Sequence, residues 1–211
     1  VDYGMKQNID VIPGVELSTN FEGYEIHLLG YLIDWRDPRL KNALVKMTKQ
    51  RLERARKMLF RLSDLGFPLD FGEIQKIAGE GVIGRPHLAV AMVNEGYVTN
   101  VHEAFSRFLG KGAPAYVPRE KMSLREAIQL IKEVKGIPVL AHPGLLGSFQ
   151  LVRQIIDCGI MGIEVEYPEH IPSQKEYLLR LCRDHGLIPT GGSDFHGNIR
   201  EIPMGKCGVS L

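Results

Sequence analysis

The C-terminal half of the chain alternates between short apolar runs and stretches with helical periodicity. The apolar runs cover residues 137–141, 162–167 and 187–190. Between them, Ser123 with Glu126 and Ser173 with Glu176 have the spacing of a helix-capping box. Strands that alternate with helices of about ten to fifteen residues are typical of βα units. This half of the chain therefore predicts parallel strands in a sheet covered by helices, which is an α/β fold.

The first 37 residues contain two more apolar runs. These cover 10–17 and 25–32, and the polar segment 18–23 separates them. Apolar runs bounded by polar, turn-forming residues predict two strands joined by a short connection.

Between residues 38 and 112 the strand pattern disappears and only helical periodicity remains. One long amphipathic helix is predicted to end before Gly66, and shorter helices are predicted over 71–78, 86–94 and 101–109. We therefore expect a barrel domain formed by 1–37 and 113–211, with 38–112 inserted into it as a helical subdomain.

The charge balance limits the kinds of partner that the protein can have. The 211 residues include 26 Lys and Arg against 25 Asp and Glu, which leaves a formal net charge of +1. A nearly neutral protein is poorly suited to gripping long duplex nucleic acid. The basic residues of the long predicted helix form either a solvated face or a rim that attracts a polyanionic substrate.

The cysteines and the apolar runs indicate the cellular location of the protein. Cys158, Cys182 and Cys207 are widely spaced and form no C-x-x-C pair. This pattern predicts reduced thiols, with neither a disulfide framework nor a zinc ribbon, and a cytoplasmic location. No apolar run approaches the roughly 18 residues of a membrane span, so no membrane association is expected.

Acidic residues and histidines cluster at or near the ends of the predicted strands. The side chains concerned are Glu16, His27, His142, Asp194 and His196. Because the catalytic groups of a parallel barrel come from the carboxyl ends of different strands, we expect these side chains to converge. Imidazole and carboxylate without thiolate suit Zn²⁺, Mn²⁺ or Fe²⁺, and a carboxylate can bridge two ions. The set therefore predicts a multinuclear metal centre. The histidines expected to have a structural role instead are His102, His170 and His185.

Six segments, taken in order along the chain, resemble the PHP family, which is named for polymerase and histidinol phosphatase. They are IPGVELS (12–18), EIHLLGY (25–31), RPHLA (85–89), PAYVP (114–118), VLAHPG (139–144) and GSDFHG (192–197). The RPHLA and PAYVP segments resemble the branch of small stand-alone phosphoesterases that act on nucleoside 3′,5′-bisphosphates and on short RNA 5′ ends. The resemblance implies a distorted (β/α)7 TIM-like barrel that holds two or three divalent ions of Mn, Zn or Fe.

The resemblance also implies a role for each matched metal ligand. Glu16 would bridge the first and second ions, and His27 and His142 would complete the second. Asp194 resembles a ligand of the first ion and His196 a ligand of the third.

Three further residues are implied to face the substrate. Arg85 and His87 lie at the start of a predicted helix, and an arginine can clamp a phosphate with two N–H donors. Arg119 is either another phosphate ligand or a solvated charge. The catalytic residues implied by the resemblance are Glu16, Arg85, His87, Asp194 and His196.

Together these features predict a metal-dependent phosphoesterase. It would hydrolyse phosphate monoesters of small nucleotides or of oligonucleotide 5′ ends through a metal-activated hydroxide. Family members begin with a strand that ends in a His-x-His pair, so we expect this sequence to be a fragment whose first strands and metal ligands precede Val1. The alternatives are a non-catalytic metal-binding module that acts through a protein partner, and a metal hydrolase that acts on C–N bonds.

Overall fold

Five strands form one mixed sheet in the computed structural model, which describes residues 1–79, 81–195 and 202–209. In sheet order, which is also chain order, they are β1 (Gly14–Phe21), β2 (Tyr24–Tyr31), β3 (Ile137–Leu140), β4 (Gly162–Glu166) and β5 (Ile188–Gly191). β1 pairs antiparallel with β2, and β2 with β3, whereas β3, β4 and β5 are parallel. The α/β class and the parallel pairing of the C-terminal strands are confirmed.

The first two strands differ from their predicted bounds. β1 continues to Phe21, and only Glu22 and Gly23 remain in the turn, with φ of +50° and +87°. Positive φ at both central residues matches the twist of an antiparallel hairpin. The predicted connection over 18–23 is therefore right for Glu22 and Gly23 and wrong for residues 18–21. Residues 18–21 join the strand because hairpin pairing satisfies their backbone, and the Thr19 hydroxyl donates to the Ile26 carbonyl (2.8 Å).

The hairpin separates an apolar face from a polar one. Leu17 on β1 and Ile26 and Leu28 on β2 are fully buried, as the alternation of side chains along a strand requires. On this face a Cβ at Gly30 would lie 3.0 Å from Ile131 of the covering helix, so glycine permits close packing there. Glu16 lies on the opposite face of the hairpin, which is the face that can carry a functional site.

Three helices accompany the parallel strands: α6 (Leu124–Glu133), α7 (Phe149–Ile156) and α8 (Pro172–His185). The predicted capping box is confirmed at α6, where the Ser123 hydroxyl accepts from the Glu126 N–H and the Glu126 carboxylate accepts from the Ser123 N–H. The box predicted at Ser173 is wrong. α8 begins at Pro172 because proline is preorganised for the first helical position.

The contacts divide the chain into two units. We call Val1–Lys41 with Lys121–Leu211 the sheet unit, and Asn42–Glu120 the helical unit. The sheet unit also contains the short helix α1 (Asp2–Lys6). The assignment of 38–112 as an inserted subdomain stays a prediction.

The helical unit is formed by short helices that pack on the long helix α2 (Pro38–Asp64). These are α3 (Phe71–Ala78), α4 (Arg85–Asn94) and α5 (Val101–Ala104), followed by a π-helical turn (Phe105–Leu109). The helix predicted over 101–109 is confirmed, and its second half is π-helical, with the Gly110 N–H donating to the Phe105 carbonyl five residues back. Within the described ranges, no helix is both long and apolar enough to cross a membrane.

Candidate metal centre and arginine cavity

Glu16, His27 and His142 bring three ligand atoms together on the polar face of the sheet. Ser18 pairs with His27 across the hairpin, so Glu16, two residues earlier, lies diagonally opposite His27 on the same face. The Ala141 N–H donates to the His27 carbonyl (3.1 Å), which brings the next residue, His142, beside His27. His27 lies within the second strand as predicted, whereas Glu16 lies inside β1 and not at its end. Hairpin register creates this proximity.

The separation of the two imidazole nitrogens suits a shared divalent cation, whereas His27 and Glu16 are at hydrogen-bond distance. Nδ1 of His27 lies 3.2 Å from Nε2 of His142 and 2.6 Å from Oε1 of Glu16. Nε2 of His142 lies 3.8 Å from the same carboxylate oxygen. Two nitrogen ligands that are each about 2.1 Å from one ion are separated by about 2.9–3.4 Å, depending on the coordination angle. The donor set of two imidazoles and one carboxylate is the type favoured by Zn²⁺, Mn²⁺ and Fe²⁺.

The cluster is also electrostatically coupled. Hydrogen bonds with His142 and His27 hold the pKa of the Glu16 carboxyl well below its usual range. The hydrogen bond with Glu16 raises the pKa of His27 despite partial burial. Glu16 is therefore ionised at neutral pH, as a metal-ligating carboxylate must be.

Glu164 supports the cluster from β4 and was not identified from the sequence. Only 5% of this residue is exposed, and its Oε2 accepts a hydrogen bond from the His142 N–H (2.8 Å). Burial raises the pKa of the Glu164 carboxyl to about 7. The signal available in the sequence was an acidic residue inside a predicted strand, between the apolar Ile163 and Val165.

Asp194 is placed differently from the other predicted metal ligands that the structure describes. Asp194 lies outside the three-residue cluster, and its Oδ2 accepts from the hydroxyl of the fully buried Tyr167 (3.2 Å). Its φ of +47° is in the left-handed region. His196 lies outside the described residues.

The helical unit contains a cavity of about 220 Å³ with four arginines in its lining. They are Arg51, Arg54, Arg85 and Arg119. No acidic residue lies among the described residues that line it. Such a lining suits a phosphate or another compact anion.

Ring contacts and backbone carbonyls orient two of these arginines. The Arg54 Nε–H donates to the Val117 carbonyl (2.7 Å), and the Arg54 guanidinium lies 5.6 Å from the Tyr116 ring. The Arg85 guanidinium lies 5.7 Å from the same ring and 5.5 Å from that of Phe105. The predicted substrate residues Arg85 and Arg119 thus line one cavity. Arg51 and Arg54 were noted from the sequence only as part of a basic helix face.

His87 has a different environment from the arginines. Its Nδ1 accepts the Gly84 N–H (3.1 Å) at the start of α4, which satisfies a backbone donor that the helix leaves unpaired. His87 does not line the arginine cavity as the structure describes it.

Comparison of the chain with known proteins identifies its family. No model of a known protein family matches the chain. The chain is 32% identical over 203 residues to the 5′-3′ exoribonuclease Rnm of Escherichia coli, an alignment that covers 94% of this chain and 69% of that protein. The chain belongs to the PHP family.

Two further comparisons agree with this result. The 3′,5′-nucleoside bisphosphate phosphatase of Chromobacterium violaceum is 33% identical over 198 residues, which cover 90% of this chain and 69% of that protein. A crystal structure from Bifidobacterium adolescentis, described as that of a metal-dependent phosphoesterase, superposes with a TM-score of 0.78 at 27% identity, covering 98% of this chain and 75% of that one. The prediction of a PHP phosphoesterase is confirmed, and no comparison supports the non-catalytic alternative.

Proposed function

We propose that this PHP protein hydrolyses phosphate monoesters of small nucleotides or of oligonucleotide 5′ ends. The observation that carries the proposal is the convergence of Glu16, His27 and His142, whose ligand atoms all lie within 4.8 Å of one another. A divalent ion bound there supplies a Lewis acid for the phosphoryl oxygen and lowers the pKa of a coordinated water. The chain's own contribution is to hold three ligand atoms close together before the substrate arrives.

We assign the ligands of one ion to Glu16, His27 and His142. Glu16 is suited to bridging to a second ion because a carboxylate has two oxygens and a neutral imidazole has one lone pair. Asp194 and His196 are proposed as ligands of the further ions, which makes two or three in all. Mn²⁺, Zn²⁺ and Fe²⁺ all accept these ligand types.

We propose that the arginine cavity binds phosphate groups of the substrate. Arg85 and Arg119 are supported by their position in the lining, and Arg51 and Arg54 join them there. His87 is proposed to approach the substrate through Nε2, since its Nδ1 accepts the Gly84 N–H. The relatives' names, an RNA 5′-3′ exonuclease and a nucleoside bisphosphate phosphatase, favour short nucleotide substrates over long duplexes.

The finer features of the fold and its setting also belong to this proposal. We infer that the mixed sheet is part of a distorted (β/α)7 barrel, with 38–112 as its helical insertion. The observations behind this inference are the mixed sheet and the compact unit Asn42–Glu120. A cytoplasmic location is proposed because the relatives process nucleotides and RNA.

The test is hydrolysis of a nucleoside 3′,5′-bisphosphate and of a 5′-phosphorylated oligoribonucleotide in the presence of Mn²⁺. Glu16→Ala is expected to lower kcat/KM by at least a hundredfold and to weaken Mn²⁺ binding. Glu176→Ala, which removes an exposed carboxylate on α8, is the matched control and is expected to behave as wild type. Wild-type turnover no greater than that of Glu16→Ala would refute the proposal.

A second pair of variants tests the phosphate cavity. Arg51 and Arg56 are both exposed arginines of α2, but only Arg51 lines the cavity. Arg51→Ala is expected to raise KM for the bisphosphate about tenfold with little change in kcat, because it removes a charged hydrogen-bond donor for phosphate. Arg56→Ala is expected to leave KM unchanged. Equal effects of the two variants would contradict the assignment.

A further inference from the structure

His170 makes two hydrogen bonds that fix its protonation state. It lies between β4 and α8 and is 5% exposed. The Gly144 N–H can only donate, so Nε2 of His170, 3.0 Å away, is the acceptor. The proton is therefore on Nδ1, which donates to the Val165 carbonyl (2.9 Å). His170 is a neutral imidazole that connects the end of β4 to the loop after β3.

Gly144 is held tightly by this imidazole. A Cβ at position 144 would lie 2.5 Å from Cδ2 of His170 and 3.1 Å from Cδ of Gln174, so there is no room for a side chain. The Gln174 side-chain amide donates to the Gly144 carbonyl (3.1 Å). Both the N–H and the carbonyl of Gly144 are therefore bound by side chains from the segment that follows β4.

Gly144 is only two residues from His142, whose backbone is unusual. The φ of His142 is +29°, in the left-handed region that L residues rarely adopt. Such a conformation persists only where the surroundings hold it on several sides. Here Glu164 binds the His142 N–H, while His170 and Gln174 bind Gly144.

We propose that His170 is a positioning residue for the metal centre. It holds the 142–144 loop so that Nε2 of His142 stays beside His27 and Glu16, and it does so without contacting the ion. This inference rests on the proposed function, because it requires His142 to bind a metal ion. Partners that orient a metal ligand typically contribute about 10- to 100-fold to metal affinity.

Two substitutions separate the two hydrogen bonds of His170. The amide of asparagine reaches the position of Nδ1 and not that of Nε2, so His170→Asn keeps a donor for Val165 and loses the acceptor for Gly144. The longer glutamine places an oxygen near the position of Nε2, so His170→Gln keeps the acceptor. His185→Asn is the matched control, since His185 is an exposed histidine of α8.

The experiment is calorimetric titration of each metal-stripped protein with Mn²⁺, together with the Tm of the metal-stripped form. We expect His170→Asn to weaken Mn²⁺ binding at least tenfold. We expect His170→Gln to stay within about threefold of wild type and His185→Asn to match it.

The outcomes distinguish this inference from the proposed function. Wild type that binds no Mn²⁺ overturns the proposed function itself. Wild type that binds, with His170→Asn binding equally well, overturns only the inference, as does a loss of Tm for His170→Asn with unchanged affinity. If His170→Asn does not fold, Gln174→Leu removes the hold on the Gly144 carbonyl instead. A weakening of Mn²⁺ binding by at least threefold then supports the inference, and a smaller change refutes it.

Discussion

Replacing Glu164 tests how strongly β4 supports the loop of the metal centre. In Glu164→Ala the His142 N–H loses its acceptor, and a buried donor left without a partner costs about 1–3 kcal/mol. Loss of the buried Cγ methylene adds about 0.8 kcal/mol. The total is a destabilisation of about 2–4 kcal/mol. In Glu164→Gln the side-chain carbonyl still accepts the bond and the volume is kept, so the change is expected to stay below about 1 kcal/mol.

The assay is urea unfolding followed by the fluorescence of Trp35. This is the sole tryptophan of the chain and lies in the sheet unit. With a slope of about 2 kcal/mol per molar urea, Glu164→Ala is expected to lower the unfolding midpoint by about 1–2 M. The reasoning is refuted if Glu164→Ala leaves the midpoint unchanged, or if Glu164→Gln lowers it as much as alanine does.

Three further predictions follow from packing, burial and binding. Gly162→Ala places a Cβ 2.7 Å from the Ile188 carbonyl oxygen across β4 and β5, so it is expected to cost about 1–3 kcal/mol in the same urea assay. Gly208→Ala, which meets no atom within 4 Å, is its control and should leave the midpoint within about 0.3 M of wild type. Burial raises the pKa of the Cys182 thiol to about 11. Iodoacetamide at pH 8 is therefore expected to alkylate Cys182 more slowly than the other two cysteines. Equal alkylation rates in the native protein would contradict this prediction. If the ion is present at about 100 times its Kd, removing it with a chelator is expected to lower Tm by about 5–10 °C. A Tm that does not change when Mn²⁺ is added would argue against a structural contribution of the ion.

Local patterns predicted the helices and the parallel strands well. The capping box at Ser123 and the apolar runs that became β3, β4 and β5 depend on neighbours within a few residues, so they can be recognised in a sequence. The same reasoning failed at the hairpin, where polar residues 18–21 became part of β1. Cross-strand hydrogen bonds to a partner strand satisfied these residues, and strand propensity does not report such pairing.

The candidate site shows the same division. The choice of Glu16, His27 and His142 followed from residue type and from the family resemblance, and the structure brings their ligand atoms together. Their roles as ligands stay proposals. Glu164 was not predicted, and His170 was expected to be structural without a partner being identified, because each forms a hydrogen bond to a residue more than twenty positions away.

The sequence by itself determined the α/β class, most helix boundaries, the donor types of the site and the family. Periodicity, capping residues and short motifs predict these features, and each of these patterns is local. Only the tertiary structure decided that Glu16 and His27 share a strand face, that four arginines share one cavity and that His170 holds the loop of His142. Each of these contacts depends on strand register or on the packing of segments far apart in the chain. Tertiary folding sets such distances, and no local pattern encodes them.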